Sequence, residues 1–180
     1  MPKIRTIQIV DYTPQWAVTF SELKQVLWSK LGNLVRNIEH IGSTSVIGLA
    51  AKPIIDLDII IESNALLPTV ISCLQELGYW YEGDKGIKGR EAFARKDNDV
   101  PDDGTGKIWQ NHHLYVCPQD SEALARHLTF RDYLRSHPQE ALAYGELKRQ
   151  LAQQFPHDID AYLEGKSPFI EEIMQQARIT

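Results

Sequence analysis

Two carboxylates spaced as Asp56-Leu57-Asp58, inside the isoleucine-rich run of residues 53–61, are the groups in this chain best placed to do chemistry. Side chains alternate along a strand, so Asp56 and Asp58 share one face, roughly 7 Å apart, with Ile55, Leu57 and Ile59 on the other. Like charges at that separation raise each other's pKa unless a cation sits between them. A hard divalent ion such as Mg2+ suits the arrangement, because it takes a few carboxylate oxygens and fills its other positions with water and substrate phosphate. The same pattern also fits a half-exposed edge strand that carries two acids on its outer face. Upstream stands Gly42-Ser43-Thr44-Ser45. There a glycine permits a tight turn, and successive N–H groups and hydroxyls supply donors. Such a turn either cradles phosphate or simply caps a helix. Paired, the two segments meet complementary needs, one holding a polyphosphate and the other its metal.

Around these pieces the run from Ile38 to Asp58 resembles the signature of GrpB-like proteins, members of the nucleotidyltransferase superfamily. Residues 112–116, 130–135 and 161–166 are also similar to family segments, so the likeness covers nearly the whole chain. It implies a small palm-like sheet, a phosphate-binding turn at Gly42 and Ser43 with Ser45 beside them, and a catalytic metal pair at Asp56 and Asp58. It further implies a Mg2+-bound nucleoside triphosphate whose α-phosphorus is attacked by an acceptor group while pyrophosphate leaves. In such a reaction the protein positions the reactants and neutralises charge. A two-metal version normally adds a third carboxylate from a neighbouring strand, and here the sequence departs. If Leu114 and Val116 face the core, His113 and Tyr115 face the site, and neither is an acid. His113 either ligates metal, hydrogen-bonds phosphate when protonated, or is an ordinary paired histidine. Glu91, on another strand, is the alternative acid. GrpB-like domains also occur fused to dephospho-coenzyme A kinases. A non-catalytic nucleotide- or coenzyme A-related module is therefore the alternative to an enzyme.

Basic residues complete the expected site. Lys52 immediately precedes the Asp-x-Asp strand, and Arg90 and Arg95 flank the strand after a glycine-rich turn. On the helix that follows residue 121, Arg131, Arg135 and His127 fall inside the apolar arc formed by Leu124, Leu128, Phe130 and Leu134. An arginine in such an arc has a buried partner, either a carboxylate of the fold or a ligand phosphate. With Lys148 from a later helix, the expected phosphate-facing cations are Lys52, Arg90, Arg131, Arg135 and Lys148. For Lys52 the plain alternative is a surface lysine.

The elements that must position these groups follow from periodicity. Strands are expected at residues 6–10, 35–41, 53–61, 79–82, 91–96 and 113–117, and helices at about 14–31 and 65–77. Residues 97–106 read as a mobile polar loop. From Ser121 the pattern is helical, with breaks near Pro138, Pro156 and Pro168. The expected class is α+β, a small mixed sheet of nucleotidyltransferase palm type packed with helices. One domain spans 1–180, with the sheet in 1–117 and a helical part in 118–180. The 180 residues carry a net charge of −5, which argues against a partner such as bulk nucleic acid or an anionic membrane. A nucleotide and a small-molecule or protein acceptor remain. Cys73 and Cys117 form neither a disulfide framework nor a zinc motif, no apolar run approaches the roughly 18 residues of a membrane helix, and Met1 to Arg5 open no signal peptide. A cytoplasmic location is the expectation.

Overall fold

Leucines at helical spacing wind α1 (Gln15–Leu31), which buries Trp16, Leu23, Leu27 and Leu31 along one stripe and ends at Gly32, whose φ is 52°. In the computed structural model, which describes residues 6–179, the β-branched runs that follow form a five-stranded mixed sheet. Its strands are β1 (Asn37–Ile41), β2 (Ile55–Ile61), β3 (Tyr79–Gly83), β4 (Glu91–Arg95) and β5 (His112–Pro118). Their spatial order is β1-β2-β5-β4-β3, with β2 and β5 parallel and the other neighbours antiparallel. The Asp-x-Asp strand is therefore interior, not the edge strand that was the alternative.

Alternation along β2 separates two layers. Ile55, Leu57, Ile59 and Ile61 join α1 and α2 (Leu67–Glu76) in the main core, together with Leu114 and Val116 of β5. On the opposite face lies α3 (Glu122–Ser136), against β1 and β5, with α4 (Pro138–Gln154) and α5 (Ile159–Ile179) packed on α3 and on each other. Leu124 of α3 packs there on Ile60 and Cys117. At the α4–α5 crossing Gly165 lets the helices close up, since a Cβ at that position would run into the Leu151 side chain. The expected α+β class, mixed sheet and helical last third are all present.

Three expectations are corrected. Residues 6–9 form no strand. Only Val10 pairs, with Ala51, while Ile7 and Ile9 pack on the Leu151 and Tyr162 cluster, so their alternation reflects burial against helices. Pro168 does not end a helix but lies within α5. Residues 97–106 are anchored: Val100 is buried against Gly78, where a Cβ would stand 2.8 Å from its methyl, and the Trp109 indole donates to the Pro101 carbonyl. Val100 and Trp109 belong to the α1–α2 core, on the sheet face opposite the aspartates. The reading of Met1 to Arg5 lies outside the described residues. Among the described residues, no helix is long and apolar enough to cross a membrane.

Candidate active site

Asp56 and Asp58 share the helix-covered face of β2 but are not equivalent. The Asp56 side chain keeps a quarter of its surface exposed and that of Asp58 keeps none. Parallel pairing with β5 sets Asp56 opposite His113 and Asp58 opposite Tyr115. His113 Nδ1 donates to Asp56 Oδ1 at 2.8 Å. His127 Nδ1, from α3, donates to Asp58 Oδ2 at 2.6 Å, and Asp58 Oδ1 is buried with no partner. Burial pushes the Asp58 carboxyl above the usual range, His127 pulls it back, the Asp56 charge adds to the rise and Arg90 opposes it. No third acid arrives. Among the described residues no three His, Cys, Asp or Glu side chains gather as a metal cage. Glu91 accepts instead from the exposed Tyr81 hydroxyl.

Gly42 carries the turn above Asp56 with φ at 69°. A Cβ there would overlap the Asp56 carboxylate, and its Cγ would lie only 3.1 Å away. Gly42→Ala is therefore expected to destabilise the fold by about 2 kcal/mol and to displace the carboxylate. Urea unfolding together with a Mn2+ titration checks both, and an alanine variant with parental stability would contradict the crowding. The residues after Gly42 divide their work. Ser45 Oγ donates to the Gly42 carbonyl at 2.5 Å and Thr44 Oγ1 to that of Ile54 at 3.2 Å, so both hold the turn together. Ser43 and Thr44 line a cleft, in which the Ser43 hydroxyl meets Lys148 of α4.

That cleft has a volume of about 560 Å3 and is lined by Gly42, Ser43, Lys52, Asp56, Arg90, His113 and Lys148 of the expected set. It also contains Tyr115, expected on the site-facing side of its strand, and Tyr144, Tyr162 and Lys166, which the sequence reading did not place in the site. Lys148 is 2% exposed, and its Nζ lies 2.8 Å from Ser43 Oγ and 4.5 Å from the centre of the Tyr144 ring. Burial brings its pKa down to about 6, helped by the charges of Lys166, Lys52 and Arg149 and opposed by Asp56. Burial and Lys52 likewise bring Lys166 down to about 8, against the pull of Asp56. Lys52 is lowered by burial, with Asp56 opposing. Lys166 lies over Tyr162 at 4.7 Å and Arg90 over Tyr115 at 4.5 Å, and the buried Arg90 Nε has no partner. Cations thus crowd a cleft in which Asp56 is the accessible acid.

Arg131 and Arg135 do not line the cleft. Arg131 donates to Glu39 Oε2 at 2.6 Å, to the His40 carbonyl at 3.1 Å and to Asp132 Oδ1 at 2.7 Å. Arg135 donates twice to the Ser45 carbonyl, at 3.0 and 2.9 Å. Both brace β1 and the back of the turn, because their helix faces the carboxylate of β1 rather than the mouth of the cleft. Arg95 is similarly held away by Asn111. A legible signal for the missed residues was Tyr144-x-x-x-Lys148 and Tyr162-x-x-x-Lys166. Spacing of one helical turn puts each lysine on the face of its own tyrosine.

A family model described as GrpB protein matches residues 6–176. The UPF0157 protein YqkA of Bacillus subtilis is 37% identical over 174 residues, 97% of this chain and 48% of that protein. The crystal structure of the conserved protein GrpB from Enterococcus faecalis has a TM-score of 0.80 and 37% identity, covering 94% of this chain and 96% of the other. A dephospho-CoA kinase of Mycolicibacterium paratuberculosis is 24% identical over 196 residues, 95% of this chain and 46% of the kinase. The chain spans about half the length of these two curated relatives.

Proposed function

The chain belongs to the GrpB family, and on that premise we propose that its cleft binds a nucleoside triphosphate with Mg2+ and transfers the nucleotidyl group to a small-molecule or protein acceptor. The observation that carries this reading is the convergence of the Gly42-Ser43 turn, Asp56 and the cations Lys52, Arg90 and Lys166 on one cleft. Oxygen donors suit a hard ion: Asp56 is packed where only a glycine fits, and Asp58 keeps one oxygen without a partner. These two carboxylates would hold the metal, which supplies charge neutralisation at the phosphates when bound. The chain's own residues do the rest. The turn receives phosphate oxygens, the three cations offset their charge, and Tyr115 and Tyr162 keep those cations in place.

Asp56→Asn tests the reading, because Asp56 is partly exposed and its loss leaves the buried Asp58–His127 pair intact. Nucleotide titration with and without Mg2+ is expected to show at least a tenfold loss of Mg2+-dependent affinity, and pyrophosphate release is expected to stop. Retained release in this variant would sink the proposal. A second reading, a nucleotide- or coenzyme A-related binding module without turnover, is favoured by His113 standing where a third acid would serve two-metal chemistry. Tight nucleotide or coenzyme A binding with no pyrophosphate released across a panel of acceptors would select it.

A further inference from the structure

Ser43 has the surroundings of a nucleophile. Its Oγ meets Lys148 Nζ at 2.8 Å inside the cleft, and the buried Tyr144 hydroxyl is a further hydrogen-bonding neighbour of Ser43. Lys148 makes no ion pair with any carboxylate among the described residues. Its charged neighbours are Lys166 from α5, Lys52 from the segment before β2 and Arg149 from its own helix, with only Asp56 opposing them. An amine so placed sheds its proton at neutral pH, and a neutral amine accepts the proton of a hydroxyl. Gly42, at positive φ and packed against the Asp56 carboxylate, leads directly into Ser43, and Ser43 and Asp56 both line the cleft.

We propose that Ser43 is a lysine-activated nucleophile and is itself an acceptor of the nucleotidyl group, with Lys148 as its base. This rests on the reading of the cleft as a nucleotide site. The step balances as follows: a bond forms between Ser43 Oγ and the α-phosphorus, and the bond from that phosphorus to the bridging oxygen breaks. Pyrophosphate leaves, and the serine proton passes to Lys148 Nζ. The product is a nucleoside monophosphate ester of Ser43. The remaining lysines of the cleft, Lys52 and Lys166, face the departing phosphates.

Two arms of one experiment test this on the full chain. In the first, protein is incubated with Mg2+ and each nucleoside triphosphate, and its intact mass and Ser43 peptide are measured. In the second, an alkyl fluorophosphonate, which needs no nucleotide, is offered; Ser43 Oγ would bond its phosphorus and expel fluoride. Expected results are a mass gain of one nucleoside monophosphate on Ser43 and fluorophosphonate labelling of the same residue. Labelling should rise with pH through about 6 and then level. Both modifications should vanish in Ser43→Ala and fall at least a hundredfold in Lys148→Met and Lys148→Arg. A phosphate adduct in place of the nucleotide, labelling only elsewhere, or an unchanged rate in the Lys148 variants would overturn the proposal. So would labelling of Ser43 without any nucleotide adduct, provided the nucleotide binds. Failure of the parent protein to bind nucleotide at all would instead overturn the reading of the cleft.

Discussion

Lys148→Met is expected to make the protein more stable at pH 7, by about 2–4 kcal/mol, while removing the reactivity of Ser43. An unfolded lysine holds its proton up to a pKa near 10.5, whereas the folded Lys148 gives it up near 6. Between those values the unfolded state binds a proton that the folded state refuses. Folding is then penalised by about 1.4 kcal/mol per unit of pH below the unfolded value, saturating below the folded one. At pH 7 the penalty is on the order of 5 kcal/mol, against which the Ser43 hydrogen bond and the Tyr144 contact return about 1 kcal/mol each. Methionine fills a similar volume and has no proton to lose. The advantage of the variant should therefore shrink as the pH rises from 7 to 9.5, because the parent gains stability there and the variant does not gain through this residue. Urea unfolding of both proteins at the two pH values measures this. A variant weaker than its parent at pH 7, with no convergence at pH 9.5, would show that Lys148 stays charged. A buried lysine kept at such a cost, when methionine would serve packing, is the expected mark of a functional group.

How far the sequence disclosed this site depended on the range of the interactions. Asp56 and Asp58 were legible because a two-residue period on an apolar strand decides which face they share, and β2 obeys it. The turn at Gly42 was legible because only glycine adopts its φ comfortably beside a carboxylate. The helical third was legible from its apolar periods, although Pro168 misled, since it sits on the exposed side of α5, where solvent can satisfy the carbonyl left without its N–H. Arg131 was correctly expected to be buried, but a helix face does not say what lies across from it. Glu39 is 92 residues away in sequence and becomes the partner only once β1 takes the edge of the sheet beside β2. The same holds for Val100, whose burial depends on a glycine at position 78. Lys166 was legible and went unread, because each Tyr-x-x-x-Lys pair looks ordinary until α4 and α5 converge on one cleft.

The Asp58–His127 pair gives the second large effect. His127→Leu is expected to cost about 3 kcal/mol at pH 7, since it leaves a carboxylate with no exposed surface and no partner on either oxygen. His127→Gln, which keeps a donor toward Oδ2, should lose less than half of that. The pH dependence follows from the direction of the Asp58 shift. Burial already raises its pKa, and without His127 that rise is unopposed by the largest lowering influence. A carboxyl whose folded pKa lies above its unfolded value favours folding when protonated and loses that advantage as the pH rises through the folded value. The leucine variant should thus recover toward its parent as the pH falls from 7 to 5, opposite to ordinary acid weakening. Divalent cations supply an independent check. If Asp58 is a metal ligand, the cation replaces the lost imidazole, and millimolar Mg2+ or Mn2+ should raise the melting temperature of His127→Leu more than that of the parent. Adding Asp56→Asn should abolish the difference. Equal responses in all three proteins would make Asp58 a structural acid of the α3 interface and leave Asp56 as the sole carboxylate facing the nucleotide.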